Sequence, residues 1–185
     1  MVLKNIIFDW SGTLVNDLPP VMGATNYILR KLGKEEMTLD EFRAEFCLPF
    51  TRLYERVAPG VDPRQLETWF HEAYIPLQDK VEALEHAEVF LQFVKSKRIR
   101  TFLFSSMHQQ HYESLQGRIA FNQYLDHPYV GVWDKKARIS ELISKHELAP
   151  GETLFIGDMV HDIETAHHGK LRSCAVLTGY TLLED

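Results

Sequence analysis

Three kinds of chemically capable side chain, carboxylate, hydroxyl and ammonium, stand at the edges of apolar runs or helical patterns in this chain. Asp9 ends the run Ile6-Ile7-Phe8. Ser105 and Ser106 end Phe102-Leu103-Phe104. Lys135 opens a helical pattern. Asp158 ends Phe155-Ile156-Gly157, and Asp162 follows it by four residues. An acid at the carboxyl end of a buried strand, followed by a turn through Gly12 and Thr13, sits where open α/β sheets build their sites. Backbone N–H groups in such a turn can face an anion. A carboxylate such as Asp9 can attack phosphorus, dividing one difficult step into two easier ones. Two acids on neighbouring strand tips, Asp9 and Asp158, can share Mg²⁺, which prefers oxygen ligands and offsets the repulsion between anionic nucleophile and anionic substrate. The Ser105 hydroxyl and nearby amides suit a phosphoryl oxygen, with Ser106 as the alternate. A lysine acts on phosphate as a point charge. For Asp158 the plainer alternative is a helix N-cap.

Carboxylate, hydroxyl, lysine and paired carboxylates, in that chain order and each at an element edge, resemble the four motifs of the haloacid dehalogenase-like (HAD) hydrolase superfamily. The resemblance spans nearly the whole chain. It implies Mg²⁺-dependent hydrolysis of a small phosphorylated metabolite through an aspartyl phosphate on Asp9. It also implies a metal site of Asp9, Asp158 and the Ser11 carbonyl. Asp162 would join through water or orient Lys135, unless it is simply a first-turn acid favoured by the helix dipole. Ser105, Lys135 and the Gly12 and Thr13 amides would bind the phosphoryl group. Lys135 is favoured over Lys136 because it lies fifteen residues before Pro150, which fits the family spacing.

The sequence departs from the family at Ser11. The commonest phosphatase pattern has aspartate two residues after the nucleophile, to protonate the leaving group and then activate water. A serine hydroxyl is a poor proton donor near neutral pH. Acid–base help is typically worth 10²–10⁴-fold, so its loss raises the barrier by roughly 3–5 kcal/mol. Three readings follow: an enzyme for good leaving groups such as acyl or aryl phosphates, a phosphonatase-like or dehalogenase-like hydrolase of C–P or C–halogen bonds, or a weak or non-catalytic binding module. The phosphonatase reading needs a cap lysine, for which only Lys31 and Lys34 offer themselves near the cap's start. Arg52 stands where caps of this kind reach a second anionic group of the substrate. Trp10 is expected to pack the entrance. His161, inside the Asp158–Asp162 loop, is a candidate substitute acid–base group. His167 and His168 point apart on a helix and read as surface residues, since zinc needs a convergent set.

These residues need a scaffold of alternating strands and helices. Helical spacing marks Val21 to Leu32, closed by Gly33, and Thr38 with Glu41 forms a capping-box signature before Phe42. Further helices are expected over Thr51 to Val57 and around Leu66, Trp69, Phe70 and Tyr74. No strand is expected between Pro19 and about Leu84. Beyond it, strands are expected at Ile99 to Phe104, Thr153 to Ile156 and Cys174 to Leu177, with a short strand or extended loop at Tyr129 to Trp133 and helices at 87–98, 108–117, 139–146 and 163–168. Strands separated by helices imply a parallel sheet covered on both faces. The expected fold is therefore α/β: a Rossmann-like core from residues 1–15 and 86–185, with a small α-helical cap inserted at 16–85.

Composition bounds the rest. The chain has 185 residues and a net charge of -6, which disfavours a nucleic-acid partner. No apolar run approaches the roughly 20 residues needed to cross a bilayer. The N-terminus runs straight into a strand without signal-peptide organisation. Cys47 and Cys174 read as buried free thiols rather than a disulfide, which together with these features suggests a cytoplasmic protein. Oligomeric state has no signature in the sequence.

Overall fold

The structure is a computed structural model that describes residues 2–182. The chain divides into two compact units, Met1–Asn16 with Glu82–Asp185, and Asp17–Val81.

The first unit is a five-stranded parallel sheet. Its strands are β1 (Asn5–Phe8), β4 (Arg100–Phe104), β5 (His127–Tyr129), β6 (Thr153–Gly157) and β7 (Arg172–Ala175), in the spatial order β5-β4-β1-β6-β7. The central strand β1 is buried at every position, as the unbroken apolar run requires of a strand covered on both faces. Its register sets Phe8 level with Leu103 of β4 and Ile156 of β6. The residues after these three, Asp9, Phe104 with Ser105, and Gly157 with Asp158, thus emerge at one edge of the sheet.

Alternation along the strands divides the core. Ile7, Phe102, Phe104 and Phe155 pack against Ile139 and Leu142 of α7 (Lys135–His146) and Ala166 of α8 (Val160–His168). Phe8 points the other way and meets Phe90 of α5 (Ala87–Ser96) edge-on, with ring centroids 6.1 Å apart. Full burial of each such side chain is worth about 1.5–3 kcal/mol. The remaining helix of this unit is α6 (Gln109–Leu115). A two-residue antiparallel ribbon joins β2 (Val15–Asn16) to β3 (Glu82–Ala83).

The second unit is helical: α1 (Leu18–Lys31), α2 (Leu39–Glu45), α3 (Thr51–Val57) and α4 (Pro63–Tyr74). Prolines at the start of α1 cost nothing there, because first-turn N–H groups have no intrahelical acceptor. Gly33 follows α1 at φ +68°, a left-handed conformation that lets the chain turn away. The Thr38–Glu41 capping box opens α2 as its spacing predicts. Ile28, Tyr54, Ala58 and Leu66 form this unit's own core. Asn26 bonds both the N–H and the C=O of Met37 at 2.9 Å, fixing the loop between α1 and α2.

Four sequence expectations shift. Of Tyr129 to Trp133, read as a short strand or extended loop, only Tyr129 is strand, at the end of His127–Tyr129, and the strand expected at Cys174 to Leu177 lies at Arg172–Ala175. Both are sheet edges, half solvated, so no apolar run marks them. The ribbon strand Glu82–Ala83 falls in a stretch read as strand-free, because two exposed residues carry no periodicity. The cysteines are free, but Cys174 is exposed and Cys47 only half-buried. Cys174 sits on β7, at the edge of the sheet among the described residues. Among the described residues, no helix is long and apolar enough to cross a membrane.

Candidate active site

Three strand tips of the sheet unit and the first turns of α7 and α8 converge at one point. Carboxylate oxygens of Asp9, Asp158 and Asp162 lie within 4.8 Å of one another. The Lys135 ammonium, fully buried, donates to Asp9 Oδ1 at 2.6 Å and to Asp162 Oδ1 at 2.7 Å. Lys135 is the first residue of α7, whose N-cap is Asp134. Lys136 is exposed and faces Glu164 at 3.3 Å, so the two adjacent lysines differ completely in setting.

Each acid is held from behind. Asp158 accepts the Thr13 hydroxyl at 3.1 Å on Oδ1 and the Tyr180 N–H at 2.8 Å on Oδ2. Asp162 accepts the Met159 N–H at 3.1 Å on Oδ2, so it caps α8 while it pairs with Lys135. Glycine is required around this arrangement. A Cβ on Gly179 would lie 2.0 Å from Asp158 Oδ2, and one on Gly157 would lie 2.4 Å from the Asp162 side chain. Gly12 has φ +73°, and its backbone also abuts the Asp158 carboxylate.

Electrostatics follow from this crowding. Burial pushes Asp9 up to about 7. The neighbouring Lys135 opposes that rise, while Asp162 adds to it. Asp158 is driven well above its ordinary value by burial, then by Asp9 and Asp162. Burial alone would lower Lys135, but the carboxylates of Asp162 and Asp9 outweigh it and hold the amine above its usual value. Once all three acids are ionised, one ammonium leaves two of the negative charges uncompensated, and the raised values of Asp9 and Asp158 register that cost. An all-oxygen donor set with that deficit fits a hard divalent cation such as Mg²⁺.

Ser105 is fully buried at the end of β4. Its Oγ accepts the Met107 N–H at 3.2 Å, which leaves the hydroxyl proton available. Ser106 is half-buried beside it. Ser11 is half-buried in the turn after Asp9. The amides of Gly12 and Thr13 do not face outward as expected. The Gly12 N–H bonds Val15 O at 2.8 Å, and the Thr13 N–H reaches Trp10 O at 3.3 Å, because the turn closes on itself. Trp10 is not at an entrance either. It is wholly buried, edge-on to Tyr112 and Phe121, since the residue after Asp9 points back into the core. Arg52 is exposed on α3 of the helical unit. His161 is half-buried, and its Nε2 is buried without a hydrogen-bond partner. His167 and His168 are exposed. The sequence reading missed Thr13 as a buttress of Asp158 and missed the loop Thr178–Tyr180 entirely. Thr178 donates to Gly12 O at 2.6 Å. The one available signal was Gly179 following the last strand.

The sequence matches the haloacid dehalogenase-like hydrolases over residues 6–176, and the chain belongs to that family. A phosphoglycolate phosphatase of Synechococcus elongatus is 25% identical over 184 residues, which span 96% of this chain and 85% of that protein. The crystal structure of a predicted phosphatase from Clostridium acetobutylicum superposes with a TM-score of 0.87 at 15% identity, covering 100% of this chain and 89% of that one. A haloacid dehalogenase-like hydrolase from Streptococcus pneumoniae superposes with a TM-score of 0.80 at 17% identity, covering 98% and 88%. These structures share the sheet-and-helix architecture described above.

Proposed function

We propose that this hydrolase removes phosphate from a small phosphorylated metabolite, with Asp9 as the nucleophile and Mg²⁺ as cofactor. The observation that carries the reading is the meeting of Asp9, Asp158 and Asp162 around the buried Lys135. Asp9, Asp158 and the Ser11 carbonyl would hold Mg²⁺, with Asp162 joining through water. When bound, the ion neutralises the excess negative charge and lets an anionic substrate approach.

Lys135 holds Asp9 Oδ1, so Oδ2 is the oxygen that attacks phosphorus. The same ammonium then lies against the transferring group and offsets its charge. The Ser105 hydroxyl donates to a phosphoryl oxygen, with Ser106 beside it. Asp162 keeps Lys135 in position through Oδ1 while its Oδ2 caps α8. Attack yields an aspartyl phosphate, which water hydrolyses. Arg52 is the candidate for a second anionic group on the substrate. The phosphoglycolate phosphatase relative makes phosphoglycolate the first natural substrate to try.

A phosphonatase mechanism is less well supported. It needs a deprotonated amine for Schiff-base formation, yet hydrogen bonds with Tyr27 and Glu72 hold the Lys31 amine above its usual value, and Lys34 is exposed, donating to the Val57 carbonyl.

The test is phosphate release from 4-nitrophenyl phosphate and a panel of phosphorylated metabolites, with Mg²⁺ and with a chelator. Turnover that needs Mg²⁺ and disappears in Asp9→Asn is expected. A folded protein that binds Mg²⁺ but turns over nothing would favour a binding module instead.

A further inference from the structure

We propose that Ser11 confines this enzyme to phosphorylated compounds whose leaving group departs as a stable anion, acyl phosphates above all. The proposal rests on the phosphatase reading above. An ordinary phosphate ester expels an alkoxide, a strong base that must gain a proton as its P–O bond breaks. A positioned acid is worth typically 10²–10⁴-fold in that step.

The charged side chains that meet Asp9, those of Asp158, Asp162 and Lys135, are already committed, and His161, whose Nε2 is buried without a hydrogen-bond partner, is the rival donor that the test must exclude. Asp158 accepts from Thr13 and from Tyr180, one bond on each oxygen. Asp162 accepts from Lys135 and from Met159, again one on each oxygen. Lys135 donates to Asp9 and Asp162 together. In the turn itself, Gly12 lies against the Asp158 carboxylate and Thr13 donates its hydroxyl to that group. Beyond Asp9, the core-facing Trp10 and the committed Thr13, the turn contributes the side chain of Ser11, a hydroxyl. That hydroxyl can form hydrogen bonds but gives up a proton poorly near neutral pH.

An acyl phosphate needs no such donor. An Asp9 oxygen bonds to phosphorus, the bridging P–O bond breaks, and its electron pair departs on a carboxylate. Water then bonds to the phosphorus of the aspartyl phosphate. The bond from phosphorus to Asp9 breaks, restoring the carboxylate, and the spare proton passes to solvent.

The experiment compares kcat/KM for acetyl phosphate, a series of aryl phosphates of graded acidity, and glycerol 3-phosphate, all in magnesium buffer. Wild-type kcat/KM should fall steeply with leaving-group basicity, and glycerol 3-phosphate should be at least about 10²-fold poorer than acetyl phosphate. Ser11→Asp should raise glycerol 3-phosphate turnover by about 10²-fold or more while changing acetyl phosphate by less than about tenfold. Ser11→Asn should give no such selective gain. If Ser11→Asp fails to fold, the wild-type series alone decides. A flat wild-type series would overturn the proposal, and selective loss of glycerol 3-phosphate turnover in His161→Gln would then identify the donor that defeats it. Absence of Asp9-dependent release from every phosphate would instead overturn the phosphatase reading, a result distinct from a flat series.

Discussion

The two units both carry lysine–carboxylate pairs of nearly equal length, and the pairs do different things. In the sheet unit Lys135 meets Asp9 at 2.6 Å and Asp162 at 2.7 Å, with both ends out of solvent. In the helical unit Lys31 meets Glu72 at 2.9 Å, with side chains 31% and 53% exposed. Water screens the second pair and can replace either partner, so its contribution is small. The first pair has no water to fall back on. Removing one partner leaves a charge buried alone, which is far more costly than the pair is favourable. Burial, rather than distance, is what separates the two pairs.

The sharpest way to break this contrast is Lys135→Met. It should lower stability by about 3–5 kcal/mol at neutral pH, measured by urea denaturation, with part recovered at pH 5 as the acids protonate. A loss comparable to that of a surface lysine would erase the distinction.

A second effect is electrostatic. Asp9 is held near 7 in the folded protein against an ordinary 3.8. Between these values the folded state keeps a proton that the unfolded chain has released. Stability therefore falls as pH rises through that window. Metal-free protein should melt at a lower temperature at pH 7.5 than at pH 5, by the equivalent of about 2–4 kcal/mol. Added Mg²⁺ should flatten the slope by stabilising the ionised acids. A slope unchanged by Mg²⁺ would mean the ion does not reach Asp9.

Packing around the cluster gives a smaller effect. Gly179→Ala forces a Cβ to 2.0 Å from Asp158 Oδ2 and 2.7 Å from the Gly12 α-carbon. It should cost about 1–3 kcal/mol and weaken Mg²⁺ binding, measured by thermal denaturation and calorimetric titration. At the bottom of the scale, Lys136→Ala should change stability by no more than about 0.5 kcal/mol, although it is one residue from Lys135.

Much of this site was legible in the sequence because parallel strands write themselves as apolar runs. Ile6 to Phe8 and Phe155 to Gly157 named the two strands, and the acids that ended them were necessarily side by side once β1 paired with β6. The Thr38–Glu41 capping box was equally plain, since three-residue spacing fixes its geometry. Edge strands were not legible, because half-solvated residues such as Arg172 and His127 show no apolar run. Hydrogen bonds across long separations were also hidden. Nothing local marks Thr13 as the partner of a residue 145 positions away, or Tyr180 as a donor to Asp158. The direction of the Gly12 and Thr13 amides depended on how the turn closed, and composition alone does not fix that.

The most direct test is to quench turnover of ³²P-labelled acetyl phosphate in acid and map the label by peptide mass spectrometry. The label should lie on the peptide containing Asp9, require Mg²⁺, and vanish in Asp9→Asn. Label on another residue, or steady phosphate release unaffected by Asp9→Asn, would contradict the account.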